Sequence, residues 1–406
     1  MSGVCIPKSR MTVTRTYSCR RDFEVCDGNH YKRHTHSRST VQEGNDCFRR
    51  MMELLYGDGD GDGDGDDVLK ILYTVICAML IPVLFYVFSP ALLARSIHDG
   101  GLGDTNVKET VLMEEESSEK EAYRSMLSLV IPAYNEELRL PIMLNETLSF
   151  LEKKGDEVVK TLAEACKRKH IRGKKSLNRP FEVLLIDDGS TDNTSDVFKR
   201  FVNKNKSTYS FATFRLIRLT ENRGKGAALK AGMIRARSEF SLMVDADGAT
   251  DINDLLSLSR GMNAHHIVIG SRAHLAKKSK AKRTFIRNLL MIAFHFFVSI
   301  LCSASINDTQ CGFKLFTRQA SYCLFSNLHL QRWAFDTEII ILAEKLKIPM
   351  NEIGVNWQEI EGSKLDTSKF ALIVASVGML RDMICVNLCY SLGIWKFPSY
   401  ISADVN

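Results

Sequence analysis

The stretch SLMVDADGATD, residues Ser241 to Asp251, decides the fold. An apolar run, Leu242–Met243–Val244, ends abruptly in Asp245, Ala246 and Asp247. A buried strand does not tolerate two carboxylates at its tip unless something charged or hydrogen-bonding sits opposite them. Three other short apolar runs precede it. LSLVI (127–131) is broken by Pro132, EVLLID (182–187) runs on into Asp188, and FRLIRL (214–219) leads into a basic loop at Arg223. FSLMVDAD (240–247) is the fourth. Helical stretches lie between them. One extends to about residue 151, and a basic, polar insert (153–179) follows it. A second starts in GSTDNTSDVFKRF, where Thr191 or Asp192 can cap it. GKGAALKAGMIRA has the small residues that allow close packing. Strands alternating with helices predict an α/β fold with a mostly parallel sheet. Open sheets of this kind bind ligands at the carboxyl ends of their strands.

Three of the four strands end in ligand-like residues, and those ends converge. Asp187 and Asp188 close one strand, Asp245 and Asp247 another. Four carboxylates in one cleft repel one another unless a cation or hydrogen-bond donors intervene. A hard divalent cation, Mg2+ or Mn2+, is the simple solution. Magnesium usually takes one or two carboxylates and fills its shell with water and substrate phosphates, so the cleft predicts a phosphorylated, nucleotide-type ligand. A lone Asp-x-Asp reads as a solvated turn; the apolar strand before it and the second aspartate pair shift the reading to function. TENRGKGAALKAG (220–232) supplies the opposite charge, since Arg223 and Lys225 flank glycines at a helix start, where exposed amides favour anions. By itself that segment is equally a capped helix with solvated charges.

Composition sets the frame. The chain has 406 residues, 45% hydrophobic and 25% charged, with a net charge of +6. That excess is too small to argue for nucleic acid and suits anionic ligands or an anionic membrane surface. The 11 cysteines are scattered without CxxC pairs, as expected of reduced thiols facing the cytosol. Residues 1–67 read as a disordered extension. Cys19, Cys26, His30, His34 and His36 fit no zinc-finger spacing, and GDGDGDGDGDD (57–67) lacks the closing Glu of a calcium loop. Residues 68–96, nearly all apolar between Lys70 and Arg95, are long enough for a single retained membrane anchor, which Pro82 does not forbid. Residues 97–125 read as a polar stalk, 126–395 as the catalytic domain and 396–406 as a tail.

The order and spacing of LVIPAYNEE, LLIDDGSTDNT, ENRGKGAAL and MVDADGATD resemble those of family 2 glycosyltransferases with the GT-A fold. IGSR, RNLLMIAFH, DTQCGFKLF and QRWAFDTEI narrow the resemblance to the dolichyl-phosphate glycosyltransferases, and within them to the branch that transfers glucose. It covers roughly residues 126–395.

The resemblance implies a GT-A Rossmann-like sheet behind one N-terminal transmembrane helix. It implies transfer of glucose from UDP-glucose to dolichyl phosphate with inversion, for N-linked glycosylation. It places the chain in the endoplasmic reticulum membrane with the catalytic domain facing the cytoplasm. Position by position, it implies that Pro132, Tyr134 and Glu136 line the nucleotide pocket, that Asp187 and Asp188 contact base and ribose, and that Arg223 and Lys225 lie beside the nucleotide. Asp245 and Asp247 would hold ribose and metal-bound diphosphate. Ser271, Arg272 and Arg287 would receive the acceptor phosphate. Asp308, Gln310, Trp333, Asp336 and Glu338 would frame sugar and acceptor, with Asp247, Asp308 and Arg287 catalytic. Relatives that transfer mannose often carry a polar residue where this chain has Ala249, which leaves room for water; GDP-mannose as donor, or a silent nucleotide-sugar-binding protein, are the rival readings.

The acceptor chemistry follows from pKa alone. A phosphate monoester is mostly dianionic at neutral pH, so the lipid phosphate is its own nucleophile and Asp308 has little need to act as base. Two further apolar stretches, 285–302 and 370–395, read equally as core helices or as helices in the membrane interface; polar residues interrupt both. The sequons at Asn145, Asn193, Asn205 and Asn307 fall inside the catalytic region, which favours a cytoplasmic face.

Overall fold

The computed structural model describes residues 80–92, 107–113, 125–165, 179–262, 266–274, 298–303, 305–358, 360 and 369–397. The strands are β1 (Val107–Met113), β2 (Leu127–Ala133), β3 (Phe181–Asp187), β4 (Ala212–Leu219), β5 (Phe240–Met243), β6 (Ile267–Ser271), β7 (Lys314–Thr317) and β8 (Met350–Gly354). The helices are α1 (Leu140–Ala165), α2 (Thr194–Asn205), α3 (Lys225–Met233), α4 (Leu255–Gly261), α5 (Arg318–Ser326), α6 (Phe335–Lys345) and α7 (Lys369–Ser391). All the strands join one sheet in the order β1-β4-β3-β2-β5-β7-β6-β8. β2 pairs in parallel with both β3 and β5, β3 with β4, and β6 with β8; β1 and β7 run antiparallel to their neighbours. The expected α/β fold with a mostly parallel sheet is present.

The apolar runs are continuous because both faces of the sheet are covered. Along β2, Leu127, Leu129 and Ile131 join one cluster with Leu144 and Leu148 of α1, while Val130 points to the other, with Ala228 and Leu229 of α3. Val183 and Leu185 of β3 divide from Leu184 and Ile186 in the same way. The period of 2 therefore sorts one strand into two cores. Each such Leu or Ile contributes about 1.5–3 kcal/mol by leaving water.

Three boundaries differ from expectation. α1 runs to Ala165, well past residue 151, because Leu151, Gly155, Val158 and Leu162 continue its buried stripe at helical spacing. The interval read as a polar stalk contains β1, an edge strand on β4. It is held by Glu109, which accepts from Arg215 Nε and Nη2 at 2.9 and 2.6 Å. β5 stops at Met243, so Asp245 and Asp247 stand in the loop beyond it, not on the strand.

Among the described residues no helix is long and apolar enough to cross a membrane. Of the expected anchor only residues 80–92 are described; they are helical, with Leu80, Ile81, Val83 and Phe85 exposed. The 1–67 and 396–406 readings lie outside the described residues, apart from Lys396 and Phe397. So does most of 285–302, including Arg287.

Candidate active site

The order β4-β3-β2-β5 reverses its direction of growth at β2, and the carboxyl ends of β2, β3 and β5 meet there. Such a switch point opens a crevice between neighbouring loops. The loops after β2 and β3 are stitched to each other by short polar side chains. Ser190 Oγ accepts from Asn135 N at 2.9 Å, Thr194 Oγ1 from Glu136 N at 2.7 Å, and Asp192 Oδ2 from Glu137 N at 3.1 Å. In return, Asn135 Oδ1 accepts from Thr191 N at 2.8 Å. Asn135 has a φ of 54°, a left-handed conformation that asparagine tolerates better than most residues. Asp192 Oδ1 accepts from Thr194 N at 2.9 Å, but the N-cap of α2 is Asn193, without a side-chain cap bond, and not Thr191 or Asp192 as expected. PAYNEE and DDGSTDNT are thus two halves of one scaffold, a role the sequence reading did not assign to Asn135, Asp192 or Thr194. Glu136, mostly buried, clasps Arg139 through two bonds of 2.7 Å, and Pro132 is buried within β2.

The aspartate pair after β3 divides its labour. Asp187 is completely buried. It accepts from Ser190 N at 2.8 Å and from the Ser195 hydroxyl, so it fixes the turn and does not face the cleft as the base-and-ribose contact expected of it. Asp188 takes the amides of Arg223 and Gly224 at 2.9 and 2.8 Å. Burial pushes its pKa up to about 6, and the charge on Asp187 adds to this, against the pull of the two amides and Arg332.

Those bonds correct the reading of the basic loop. The amides at the start of α3 do not await an anion. Gly226 N and Ala227 N donate to the carbonyls of Arg332 and Gln331 at 3.3 and 3.0 Å, and Arg223 and Gly224 donate to Asp188. Gly224 has a φ of 99°, and a Cβ there would stand 2.9 Å from Gln331 O, so only glycine suits the position. The groups left for an anion are the side chains. Arg223 Nη1 is buried without a hydrogen-bond partner among the described residues, an orphan donor of the kind a bound ligand satisfies. Lys225 Nζ lies 2.5 Å from Asp245 Oδ1. Burial alone would lower this lysine's pKa; Asp245, Asp336 and Asp247 raise it overall, so it stays charged.

Asp247 accepts from Ala249 N at 3.0 Å. Burial, then the charge of Asp245, raises its pKa. A cleft of ≈ 630 Å³ opens beside it, walled by Met143 and Glu146 of α1, by Ala249 and Ile252, and by Asn356 and Gln358. Among the described residues no three His, Cys, Asp or Glu side chains gather as a metal site, so the expected four-carboxylate cluster is not formed. Asp187 and Asp188 are engaged by hydroxyl and amide donors, leaving Asp245 and Asp247. Two carboxylates are what magnesium takes from protein when phosphates complete its shell, so this donor set fits a cation that arrives with a diphosphate.

The residues expected on the acceptor side form a second group. Arg272, directly after β6, holds Asp308 through Nε and Nη2 at 2.8 and 2.9 Å, and its amide donates to the same carboxylate at 2.8 Å. Its guanidinium stands 5.5 Å over the Trp357 ring. Burial would raise Asp308, but Arg272 outweighs it and holds the carboxyl below its ordinary value. Asp308 N donates to Glu352 Oε1 at 2.8 Å, and Asn307 to Glu352 Oε2. Glu352 was not read from the sequence, where nothing marks it off from a surface acid. Arg272 also lies within electrostatic reach of Asp245, which joins the two groups.

Four expected site residues are placed differently. Ser271 is buried, with its Oγ accepting from Ala273 N at 3.3 Å. Asp336 is buried against Lys314, whose Nζ lies 2.6 Å from Asp336 Oδ1 and donates to Cys311 O. Glu338 is fully buried and accepts from the His329 and Leu330 amides. Gln310 Nε2 turns to Met379 Sδ on α7 at 3.2 Å. Ser271 pairs within its own loop, and Asp336, Glu338 and Gln310 pair with neighbouring segments. Trp333 is exposed and Tyr134 half-buried.

Glycosyl transferase family 2 matches residues 128–325. Dolichyl-phosphate beta-glucosyltransferase of Dictyostelium discoideum is 44% identical over 279 residues, covering 67% of this chain and 77% of that protein. The Homo sapiens protein of the same name is 44% identical over 277 residues, covering 66% and 77%. Mannosyl-3-phosphoglycerate synthase from Rubrobacter xylanophilus overlaps 70% of this chain and 79% of its own, with a TM-score of 0.39 and 16% identity. By its identity to the curated relatives over three-quarters of their length, the chain belongs to the dolichyl-phosphate beta-glucosyltransferases of glycosyl transferase family 2.

Proposed function

We propose that the chain transfers glucose from UDP-glucose to dolichyl phosphate, with inversion at the sugar carbon, on the cytoplasmic face of the endoplasmic reticulum membrane. Family membership supports the reaction. The observation that carries its chemistry is the meeting of Asp245, Asp247 and Lys225 at the switch point, with the Arg272–Asp308 pair in electrostatic reach. A diphosphate needs cations and a leaving-group stabiliser, and this arrangement offers both.

Asp245 and Asp247 would hold a divalent metal, which when bound supplies a Lewis acid for the departing diphosphate. Lys225 neutralises the same oxygens from the protein side, and the unpartnered Nη1 of Arg223 is a hydrogen-bond donor left over for the diphosphate. Arg272 presents the acceptor phosphate with an oriented charge, because Asp308 fixes its guanidinium on two bonds. Held below its ordinary pKa and engaged on both oxygens, Asp308 orients and does not take a proton. None is needed, since the lipid phosphate is already ionised. A single displacement on an alpha-linked donor then gives the beta product.

Two features support the membrane assignment. Exposed Ile300, Val374, Val377, Leu392 and Ile394 place apolar surface on or beside α7, as does the exposed face of helix 80–92. The sequon residues Asn193 and Asn307 each donate Nδ2 to a carboxylate, Glu137 and Glu352, an arrangement a glycan would break.

The test is transfer by detergent-purified protein, with labelled UDP-glucose or GDP-mannose, with and without Mn2+, alongside Asp247→Ala. Metal-dependent lipid product from UDP-glucose alone, lost in the variant, is the expected result. Product from GDP-mannose would overturn the donor, and no lipid product from either would overturn the reaction.

A further inference from the structure

Glu338 sits in the first turn of α6 with no exposed surface, in a fold where buried carboxylates need strong partners. Its oxygens accept from His329 N at 3.0 Å and from Leu330 N at 2.7 Å, and His329 Nδ1 stands 2.8 Å away. It therefore fixes the loop 329–332. That loop in turn fixes the start of α3: Gln331 and Arg332 carbonyls take the amides of Ala227 and Gly226. A Cβ at Gly226 would stand 2.8 Å from both Leu330 O and Gln331 O, so the two segments are in direct backbone contact. Lys230 Nζ adds a bond to Leu328 O at 2.8 Å. Arg223 and Lys225 lie on the segment so held.

The other side of His329 faces the end of the chain. Its ring stacks on Trp395, centroids 3.9 Å apart and 3° from parallel. Tyr390 of α7 meets the Trp395 ring edge-on at 5.5 Å, and its hydroxyl comes within 3.5 Å of Glu338 Oε1. One continuous set of contacts thus runs from Trp395 through His329, Glu338 and residues 331–332 to the loop that carries Arg223 and Lys225.

We propose that Glu338 is a positioning residue for donor binding, and that the stacking of Trp395 on His329 makes the segment after α7 a determinant of donor affinity. Neither side chain touches the donor. Both act by setting where the loop 223–226 stands. The inference rests on the proposed use of a nucleotide-sugar donor, and wild-type transfer is the control for that reading.

The experiment uses the full chain in detergent and the variants Glu338→Gln, Trp395→Ala and Trp395→Phe. UDP binding in the presence of Mn2+ is measured by calorimetry, and KM for UDP-glucose and for dolichyl phosphate separately from kcat. Glu338→Gln and Trp395→Ala should each weaken UDP about tenfold and raise the donor KM alike, because misplacing binding groups by a fraction of an ångström has effects of this size. The acceptor KM and kcat should stay within about threefold, and Trp395→Phe, which keeps a stacked ring, should restore affinity. Folded variants with wild-type UDP affinity would overturn the proposal. So would a fall in kcat at unchanged donor KM, or equal damage to both substrates. Should Glu338→Gln not fold, Trp395→Ala against Trp395→Phe decides. UDP binding without any glucose transfer by the wild type would sink the proposed function and leave the loop assignment to be judged on affinity alone.

Discussion

Gly312 lies in the segment CGFKLF before β7, pressed against the side chain of Asp245. A Cβ added there would stand 2.5 Å from Asp245 Cγ and 2.9 Å from Oδ1, and closer still to Oδ2. Carbon atoms settle at about 3.5–4.0 Å, so the Asp245 carboxyl must retreat by about 1 Å. It has somewhere to go, since 31% of its side chain is exposed. Gly312→Ala should therefore fold while pushing Asp245 off Lys225, whose Nζ now lies 2.5 Å away. A misplacement of about 1 Å in a reacting constellation lowers rate on the order of 100-fold, and we expect kcat/KM to fall by that much with little change in thermal midpoint. The assay is initial-rate glucose transfer beside a thermal scan, repeated in the Asp245→Ala background. If the methyl acts through Asp245, it should add almost nothing once that carboxylate is gone. Gly312→Ala with more than a third of wild-type activity, or a loss that multiplies with Asp245→Ala, would refute the claim that Gly312 exists to seat this carboxylate.

Asp188 predicts a pH effect on donor binding. Its folded pKa is about 6 against an ordinary 3.8, so between those values the folded chain keeps a proton the unfolded chain has lost. That contribution to stability is full below the lower value and vanishes as pH rises through the upper. The ionised form is the one that holds the Arg223 and Gly224 amides, so affinity for UDP-glucose, whose diphosphate has no monoester proton, should decline as pH falls through about 6. Calorimetry at stepped pH checks this, and Asp188→Asn should flatten the curve. Asp308→Asn should lower kcat/KM about tenfold without changing the shape of its pH profile, whereas removing a true general base typically forfeits 10²–10⁴; a lost acidic limb in the profile would show that Asp308 takes the proton. Arg215→Ala should leave Glu182 buried without its cation and destabilise by about 3–5 kcal/mol, read as a large drop in thermal midpoint. The lesion lies away from the carboxyl ends of the strands, so the donor KM of whatever still folds should match the wild type.

The sheet was legible where its strands are covered on both faces, since burial on both sides leaves continuous apolar runs such as Val183 to Ile186. β1 was not legible. An edge strand may carry charge freely, and VKETVLM reads as a stalk until Arg215, far along the chain, is seen to bind Glu109. The length of α1 was readable, because Leu151, Val158 and Leu162 keep helical spacing, but the basic residues between them drew the boundary early. In the site, residue types were legible and their partners were not. Glu338 and Asp336 were placed at the sugar by the resemblance alone; their partners are a backbone loop and a strand lysine, and no local pattern points to either. Lys314 carried a signal that went unused: a lysine between Phe313 and Leu315 in a strand demands a buried anion.

The sequence presents the cleft as a surplus of carboxylates, and a surplus calls for one strong cation among all of them. The structure resolves most of that surplus locally. Asp336 faces Lys314, Asp245 faces Lys225, and Asp308 faces Arg272, each within 3 Å, while Asp187 and Asp188 are bound by hydroxyls and amides. Among the described residues, Asp247 has no cation at salt-bridge distance; Arg139 and Lys225 act on it only from farther off. Within this group of paired aspartates the unmet negative charge is therefore left on Asp247, beside a second carboxylate that a lysine already neutralises. That is too little to hold a divalent cation firmly without help and enough to hold one that comes with a diphosphate. It follows that Asp247, more than Asp245, should set the dependence on added metal. The effect of Asp247→Ala on metal affinity in the presence of UDP should then exceed that of Asp245→Ala, whose loss also frees Lys225 to take over part of the diphosphate's charge.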